Sequence, residues 1–202
     1  MKITLIGSGN MGSALATQIA KAGHALVITG RNADKAKELA RTTGAVFKDH
    51  PAAEGADVVV VATAYPDAVA ALGSAGDLKG KVIVDITNPV APDLSGLVTP
   101  HGSSGAQEIA KGLPATAHVV KAFNTVFGHV LAKNGRLDAF IAADDAQAKA
   151  RVSTLIESIG LRPLDVGGLH MAATLEALGL MMIGLAKNGA GTWDIALNVQ
   201  IG

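Results

Sequence analysis

Cysteine is absent from the 202 residues. That excludes disulfides, thiolate metal sites and a cysteine nucleophile, and it suits a reducing, cytoplasmic location. Aromatic residues are scarce, at one Trp, one Tyr and four Phe. With 49% of residues apolar, the core must be built from Ala, Val, Leu and Ile. An excess of either charge is missing too, since Lys+Arg and Asp+Glu each total 17. A nucleic-acid-binding surface shows itself as a basic excess, so no nucleic-acid partner is expected. No apolar run approaches the roughly 20 residues of a membrane span, and the apolar N-terminus is too short for a signal peptide. Leu175–Ala186 is apolar but short, and reads as a buried or subunit-interface helix. A compact soluble protein is expected, with no membrane partner.

What is present is an alternation of β-rich and helical segments. Lys2–Ile6, Ala25–Thr29, Ala45–Phe47, Asp57–Ala62 and Lys81–Asp85 read as strands, and the four consecutive valines Val58–Val61 demand burial on both faces. Asn10–Ala22, Asp34–Arg41 and Pro66–Leu72 read as the intervening helices. Further on, Ala106–Lys111 reads as a helix and His118–Ala122 and Ala139–Ala143 as strands. Ala146–Ile159 reads as an amphipathic helix with Asp144 and Asp145 at its N-terminus, Arg162–Val166 as a strand, and Leu169–Lys187 as a long apolar helix. The alternation implies an α/β, Rossmann-type fold: a mostly parallel, doubly wound sheet with a short C-terminal strand–helix extension. One domain over 1–202 is expected, with 1–122 the dinucleotide-binding core and 123–202 the extension. The Pro/Gly/Ser-rich stretch Asn88–Gly105 is the one long irregular segment.

Gly7-Ser8-Gly9-Asn10-Met11-Gly12 follows a predicted strand and opens a predicted helix, the context a dinucleotide fingerprint requires. Gly7 permits the tight turn, Gly9 lets backbone approach a pyrophosphate, and Gly12 lets helix pack on strand. The helix N-terminus presents free N–H groups to the phosphates. NAD sites carry a carboxylate at the end of the second strand to accept from the ribose 2′-hydroxyl. Here that place reads Thr29-Gly30-Arg31-Asn32. Arg31 supplies a fork of donors suited to a 2′-phosphate, and Lys35, one turn on, adds a second cation. No neighbouring Glu pairs them. NADP(H) is the expected cofactor.

These motifs, with Val84-Asp85-Ile86-Thr87-Asn88-Pro89, Val120-Lys121-Ala122-Phe123-Asn124-Thr125-Val126 and Gly167-Gly168-Leu169, make the chain resemble the NADPH-dependent coenzyme F420 reductases. It also resembles the oxidoreductase domain of the STEAP metalloreductases. The resemblance implies an NADP-dependent oxidoreductase with a flavin or deazaflavin such as coenzyme F420 as co-substrate. It implies that Ser8, Arg31 and Lys35 hold the 2′-phosphate and that Asn10 and Met11 flank the pyrophosphate. By the same resemblance Ala62 and Thr63 line the cofactor, Asn88 and Pro89 lie near the nicotinamide, and Phe123 and Asn124 form the far wall of the cleft. Acceptor contacts between Asn88 and Ala117 do not carry over, because that stretch is irregular in this chain, and Tyr65-Pro66 departs from the family pattern.

Ligands of an open α/β sheet bind beyond the carboxyl ends of its strands, where Asn88, Lys121 and Asn124 stand. The Asn88–Pro89 bond admits a cis form. His101, His118, His129 and His170 show no metal spacing. His170, opening the last helix, is the one candidate for proton work, and no side chain is otherwise assigned as catalytic. Glu176, within an apolar helix, is functional, exposed or paired across a subunit interface. A homodimer burying that helix is expected. Two other readings remain open: reduction of a small imine or carbonyl substrate, and a non-catalytic NADP(H) sensor.

Overall fold

The computed structural model describes residues 1–133 and 137–200. Six strands, β1 (Lys2–Ile6), β2 (Ala25–Thr29), β3 (Val46–Phe47), β4 (Val58–Val61), β5 (Val82–Asp85) and β6 (His118–Lys121), form one sheet in the order β3-β2-β1-β4-β5-β6. Every pairing in it is parallel. This is the Rossmann strand order, and it reverses direction between β1 and β4. The helices are α1 (Asn10–Lys21), α2 (Ala33–Thr43), α3 (Ala68–Gly73), α4 (Gly105–Lys111), α5 (Gly128–Leu131), α6 (Ala146–Ser158) and α7 (Ala172–Gly184).

The valine run of β4 shows why the sheet is covered on both sides. Val58 and Val60 pack with Leu15 and Ile19 of α1 and with Val152 and Leu155 of α6. Val59 and Val61, pointing the other way, pack with Leu72 of α3 and Ile109 of α4. Burying each such side chain contributes roughly 1.5–3 kcal/mol. With so few aromatic rings available, small branched residues fill both layers.

After β6 the chain adds a second, two-stranded parallel sheet, β7 (Asp138–Ile141) with β8 (Arg162–Asp165). Lys121 N donates to Ala142 O at 2.9 Å and Ala142 N to Lys121 O at 3.1 Å, an antiparallel bridge that hooks this sheet onto β6. Asn88–Gly105 is less irregular than its composition suggests, because Val90 and Leu97 form an antiparallel bridge within it. All described peptide bonds are trans, including Asn88–Pro89. The last apolar segment is one helical run in three forms: a 3-10 turn over Leu169–Met171, α7, and a π-helical turn over Leu185–Gly189. At 21 residues it is longer than the sequence reading gave, and by length and composition alone it is able to span a membrane.

A fully buried ionic cluster sits where β5, β6 and this helix converge. Asp85, Lys121 and Glu176 each have no exposed surface. Lys121 Nζ donates to Asp85 Oδ2 at 2.8 Å and to Thr87 O at 2.6 Å, and lies 2.8 Å from Glu176 Oε1. Glu176 also accepts from Gly105 N at 2.8 Å and Ala106 N at 3.1 Å, at the start of α4. Lys121, open in the sequence to being paired or to reaching a cleft mouth, is paired and does not reach a cleft, because all three of its donors are used inside. The expectation for Glu176 is corrected. Glu176 is neither exposed nor available to a partner subunit, because both its oxygens are satisfied within the chain.

Removing one member of a buried ion cluster strands the others, at about 3–5 kcal/mol. Lys121→Met is therefore expected to lower the stability by about that amount, read from the midpoint of urea denaturation monitored by far-UV circular dichroism.

Candidate functional site

Backbone geometry builds the site first. Gly7 ends β1 with φ +120°, and a Cβ there would lie 2.3 Å from Ala62 O. A Cβ on Gly12 would lie 2.2 Å from Gly7 O. Glycine at these two positions is what lets α1 start directly against the β1–β4 crevice. At Gly9 a Cβ would meet nothing within 4 Å, so the backbone there faces open space. The helix starts differ in a way that bears on this. Asn32, Ser104 and Asp145 cap α2, α4 and α6 with their side chains. Gly9 gives α1 no side-chain cap, so its first N–H groups are left for an external anion.

Two clefts adjoin this helix start. The first, of about 560 Å³, is lined by Gly7, Ser8, Gly9, Thr29, Arg31, Asn32, Lys35, Ala62 and Thr63 among others. It gathers most of the cofactor-binding residues expected from sequence. Asn32 spends its side-chain oxygen on capping α2, accepting from Lys35 N at 3.0 Å. The hydroxyl of Thr29, 1% exposed, has no hydrogen-bond partner. The Lys35 ammonium forms no ion pair among the described residues, whereas Arg31 does: its Nη1 lies 3.0 Å from Asp67 Oδ2. The expectation that Arg31 lacks a carboxylate partner is corrected, because Asp67 arrives from the loop after β4, 36 residues away. Asp49 lines the same cleft. The Arg31–Asp67 pair is largely exposed and so contributes little on its own.

The second cleft, of about 740 Å³, is lined by Asn10, Met11, Ile86, Asn88, Phe123, Asn124, Phe127, His129, Trp193 and Asp194 among others. Asn88 and Asn124 are locked together at its floor. Asn88 Nδ2 donates to Asn124 O at 2.7 Å, and Asn124 Nδ2 donates to Asn88 Oδ1 at 2.9 Å and Leu175 O at 2.7 Å. Phe123, 1% exposed, makes this possible by adopting φ +60°. That left-handed conformation costs a non-glycine residue about 1–2 kcal/mol; burial of the ring offsets it, and the turn brings Asn124 beside Asn88. Gly179 on α7 is the other close approach, since a Cβ there would lie 2.4 Å from Asn88 Oδ1.

The outer wall of the second cleft was not foreseen. Trp193 meets Phe127 edge-on at 5.2 Å between centroids, and His129 stacks on Phe127 at 6.2 Å. Asp194 ties this wall down: it lies 2.6 Å from Lys133 Nζ and 3.4 Å from His129 Nε2. The Lys133 hydrogen bond holds the Asp194 carboxyl below the usual carboxylate range. Four expected residues, Gly12, Lys121, Pro89 and His170, line neither cleft. Pro89 is buried behind Asn88, its Cγ 3.2 Å from where a Cβ of Gly105 would stand. His170 is exposed in the 3-10 turn before α7 and lines neither cleft. No group of three His, Asp or Glu suited to a metal occurs among the described residues.

This donor set fits a dinucleotide phosphorylated on its adenosine ribose. An uncapped helix start facing a cradle without a Cβ suits the pyrophosphate. Lys35, and Arg31 once released from Asp67, suit the second phosphate. The unpartnered Thr29 hydroxyl lies at the same end.

Comparison with known proteins gives concordant results. Residues 2–89 match the family model described as NADP oxidoreductase coenzyme F420-dependent. The F420-dependent NADP reductase of Methanothermobacter marburgensis is 31% identical over 206 residues, covering 92% of both chains. Metalloreductase STEAP3 of Rattus norvegicus is 30% identical over 185 residues; the match takes in 90% of this chain and only 37% of that longer protein. A crystal structure of a putative F420-dependent NADP reductase from Arthrobacter sp. FB24 superposes with a TM-score of 0.87 at 29% identity, covering 100% of both chains.

Gly179→Ala places a methyl group against the Asn88 amide. Dinucleotide affinity is expected to fall by about tenfold, measured by titration calorimetry, with the secondary structure retained.

Proposed function

The chain belongs to the family of coenzyme F420-dependent NADP oxidoreductases, and from that premise we propose that it passes a hydride between NADPH and a flavin- or deazaflavin-type ring. It is an NADP-dependent oxidoreductase. The observation that carries the finer reading is the pairing of two clefts at one helix start. One offers phosphate chemistry; the other is edged by the Phe127, His129 and Trp193 rings.

In this reading the dinucleotide lies across the β1–β4 crevice, adenosine toward Arg31 and Lys35, nicotinamide toward Asn88. When bound, the cofactor supplies the hydride. The protein's residues bind and orient. The α1 N-terminus neutralises the pyrophosphate. Arg31 exchanges the Asp67 carboxylate for the 2′-phosphate. The Asn88–Asn124 pair fixes the floor on which one ring rests, and Phe127 and Trp193 bound the space for the other. Aromatic side chains stack well on planar rings and tolerate their substituents. Holding two rings in contact is worth several orders of magnitude in rate by itself, so direct ring-to-ring transfer needs no side-chain acid or base. A small imine or carbonyl reductase would instead need a proton donor at the new alcohol or amine.

Two outcomes test this reading. NADPH oxidation followed by absorbance is expected to show turnover with deazaflavin or flavin acceptors and none with imines or carbonyls; the reverse pattern would replace the proposal by the imine–carbonyl reading. Arg31→Ala is expected to cost NADPH about 10- to 100-fold in affinity, the range for a lost charge-assisted hydrogen bond, and NADH far less.

The proposal extends to a homodimer working in the cytoplasm. Met181 and Leu185 are exposed on the last helical run, at 52% and 46%, and Ala177 lies exposed one turn before Met181. A stripe of this kind is commonly covered by a second copy. Light scattering at micromolar concentration is expected to give twice the 20.3 kDa chain mass; a mass of one chain would refute it.

A further inference from the structure

The Asp85–Lys121–Glu176 cluster holds two carboxylates against one ammonium, and everything touching the carboxylates is a donor. Asp85 accepts from Thr87 N at 2.8 Å and from Lys121. Glu176 accepts from Gly105 N and Ala106 N, 2.8 and 3.1 Å away, and faces Lys121. Among the described residues, no acceptor is placed against either carboxylate; each oxygen faces an N–H group. By formal charge, two carboxylates and one ammonium leave one negative charge in excess, at a place sealed from water. The N–H groups of α4 offset part of it, but α4 is only seven residues long and its dipole is correspondingly limited.

Lys121 Nζ holds the carbonyl of Thr87, the residue before Asn88. A Cβ on Gly105 would stand 3.1 Å from Glu176 Oε1 and 3.2 Å from Pro89 Cγ, so the carboxylate lies immediately behind the Asn88–Pro89 turn. A Cβ on Gly179, one turn along α7 from Glu176, would meet the Asn88 amide itself. The charge therefore backs the floor of the cleft that the proposed function gives to the nicotinamide, and this inference rests on that reading.

We propose that the buried negative charge of the Asp85–Lys121–Glu176 cluster is a device for poising the bound cofactor: it stabilises the nicotinamide in its oxidised, cationic form relative to its reduced form. The oxidised ring bears one positive charge more than the reduced ring, while the phosphates are common to both. A fixed charge behind the ring, unscreened by water, acts on that difference and on little else. The same field acts as hydride leaves NADPH and positive charge grows on the ring. Glu176 and Asp85 are positioning and field-setting residues in this account; neither touches the reacting atoms.

The test is the ratio of NADP+ to NADPH affinities, measured by calorimetry on the full chain. Glu176→Gln removes the charge while keeping an acceptor for the α4 N–H groups, and Asp85→Asn removes it from the other side of Lys121. Each is expected to weaken NADP+ relative to NADPH by about fivefold. Gly179→Ala, which disturbs the same floor without altering charge, is expected to weaken both forms alike. An unchanged ratio in whichever of the two charge variants folds, or a change of the ratio in Gly179→Ala as large as in those variants, would overturn the inference while leaving the proposed function standing. Failure of the wild-type chain to bind either form would instead bring down the proposed function, and this inference with it.

Discussion

The ammonium of Lys121 is the contact on which the rest of the molecule turns. It ties the end of β5 through Asp85, the loop that follows through Thr87, and the last helix through Glu176, which in turn holds the start of α4. A buried ion pair seldom adds net stability over well-packed apolar residues. Its value lies in specification: one arrangement of the four segments satisfies all three donors of Lys121 and both carboxylates. Those segments carry or support Asn88, and Asn124 follows Lys121 by three residues. The relation between the sheet and the second cleft therefore follows from one buried nitrogen.

The first cleft obeys a different logic. It depends on close approach of backbone, not on side-chain pairing. The contacts of Gly7 and Gly12 leave no room for a methyl group, and the helix they admit ends in unsatisfied N–H groups. Gly7, Ser8 and Gly9 line the first cleft and Asn10 and Met11 the second, so the start of α1 borders both. A ligand bound on one side and a ligand bound on the other are held by one helix terminus, which is the geometry that a reaction between two bound molecules needs.

Local signals served the N-terminal half of the chain well. The strands of the main sheet fall within a residue or so of where valine runs and turn residues put them, because a doubly buried strand has few alternatives. The fingerprint and the Arg31–Lys35 pair were readable for the same reason: their chemistry is contained in a few consecutive residues. What escaped was non-local. Asp67 reaches Arg31 from a different loop. Glu176 looks idle in an apolar helix until its partners, 55 and 71 residues away in sequence, are placed. The aromatic wall of Phe127, His129 and Trp193 carries no periodicity, since Trp193 lies outside helix and strand. His170 seemed suited to proton work by its place in the sequence, but the 3-10 turn leaves it exposed.

The segment after the last helix is built unlike everything before it. From Thr192 to Val199 it pairs with no strand, and it is held by side chains at its margins: Asp194 to Lys133, Asn198 Oδ1 accepting from Asp138 N, and Val199 to Asp138 and Arg162. Yet it supplies Trp193 to the second cleft. Exchanging Trp193 there would disturb neither the six-stranded sheet nor the start of α1. Under the proposed function, the preference for one acceptor over another is thus free to drift while the rest of the chain stays put, an economical way for a shared scaffold to acquire new reaction partners.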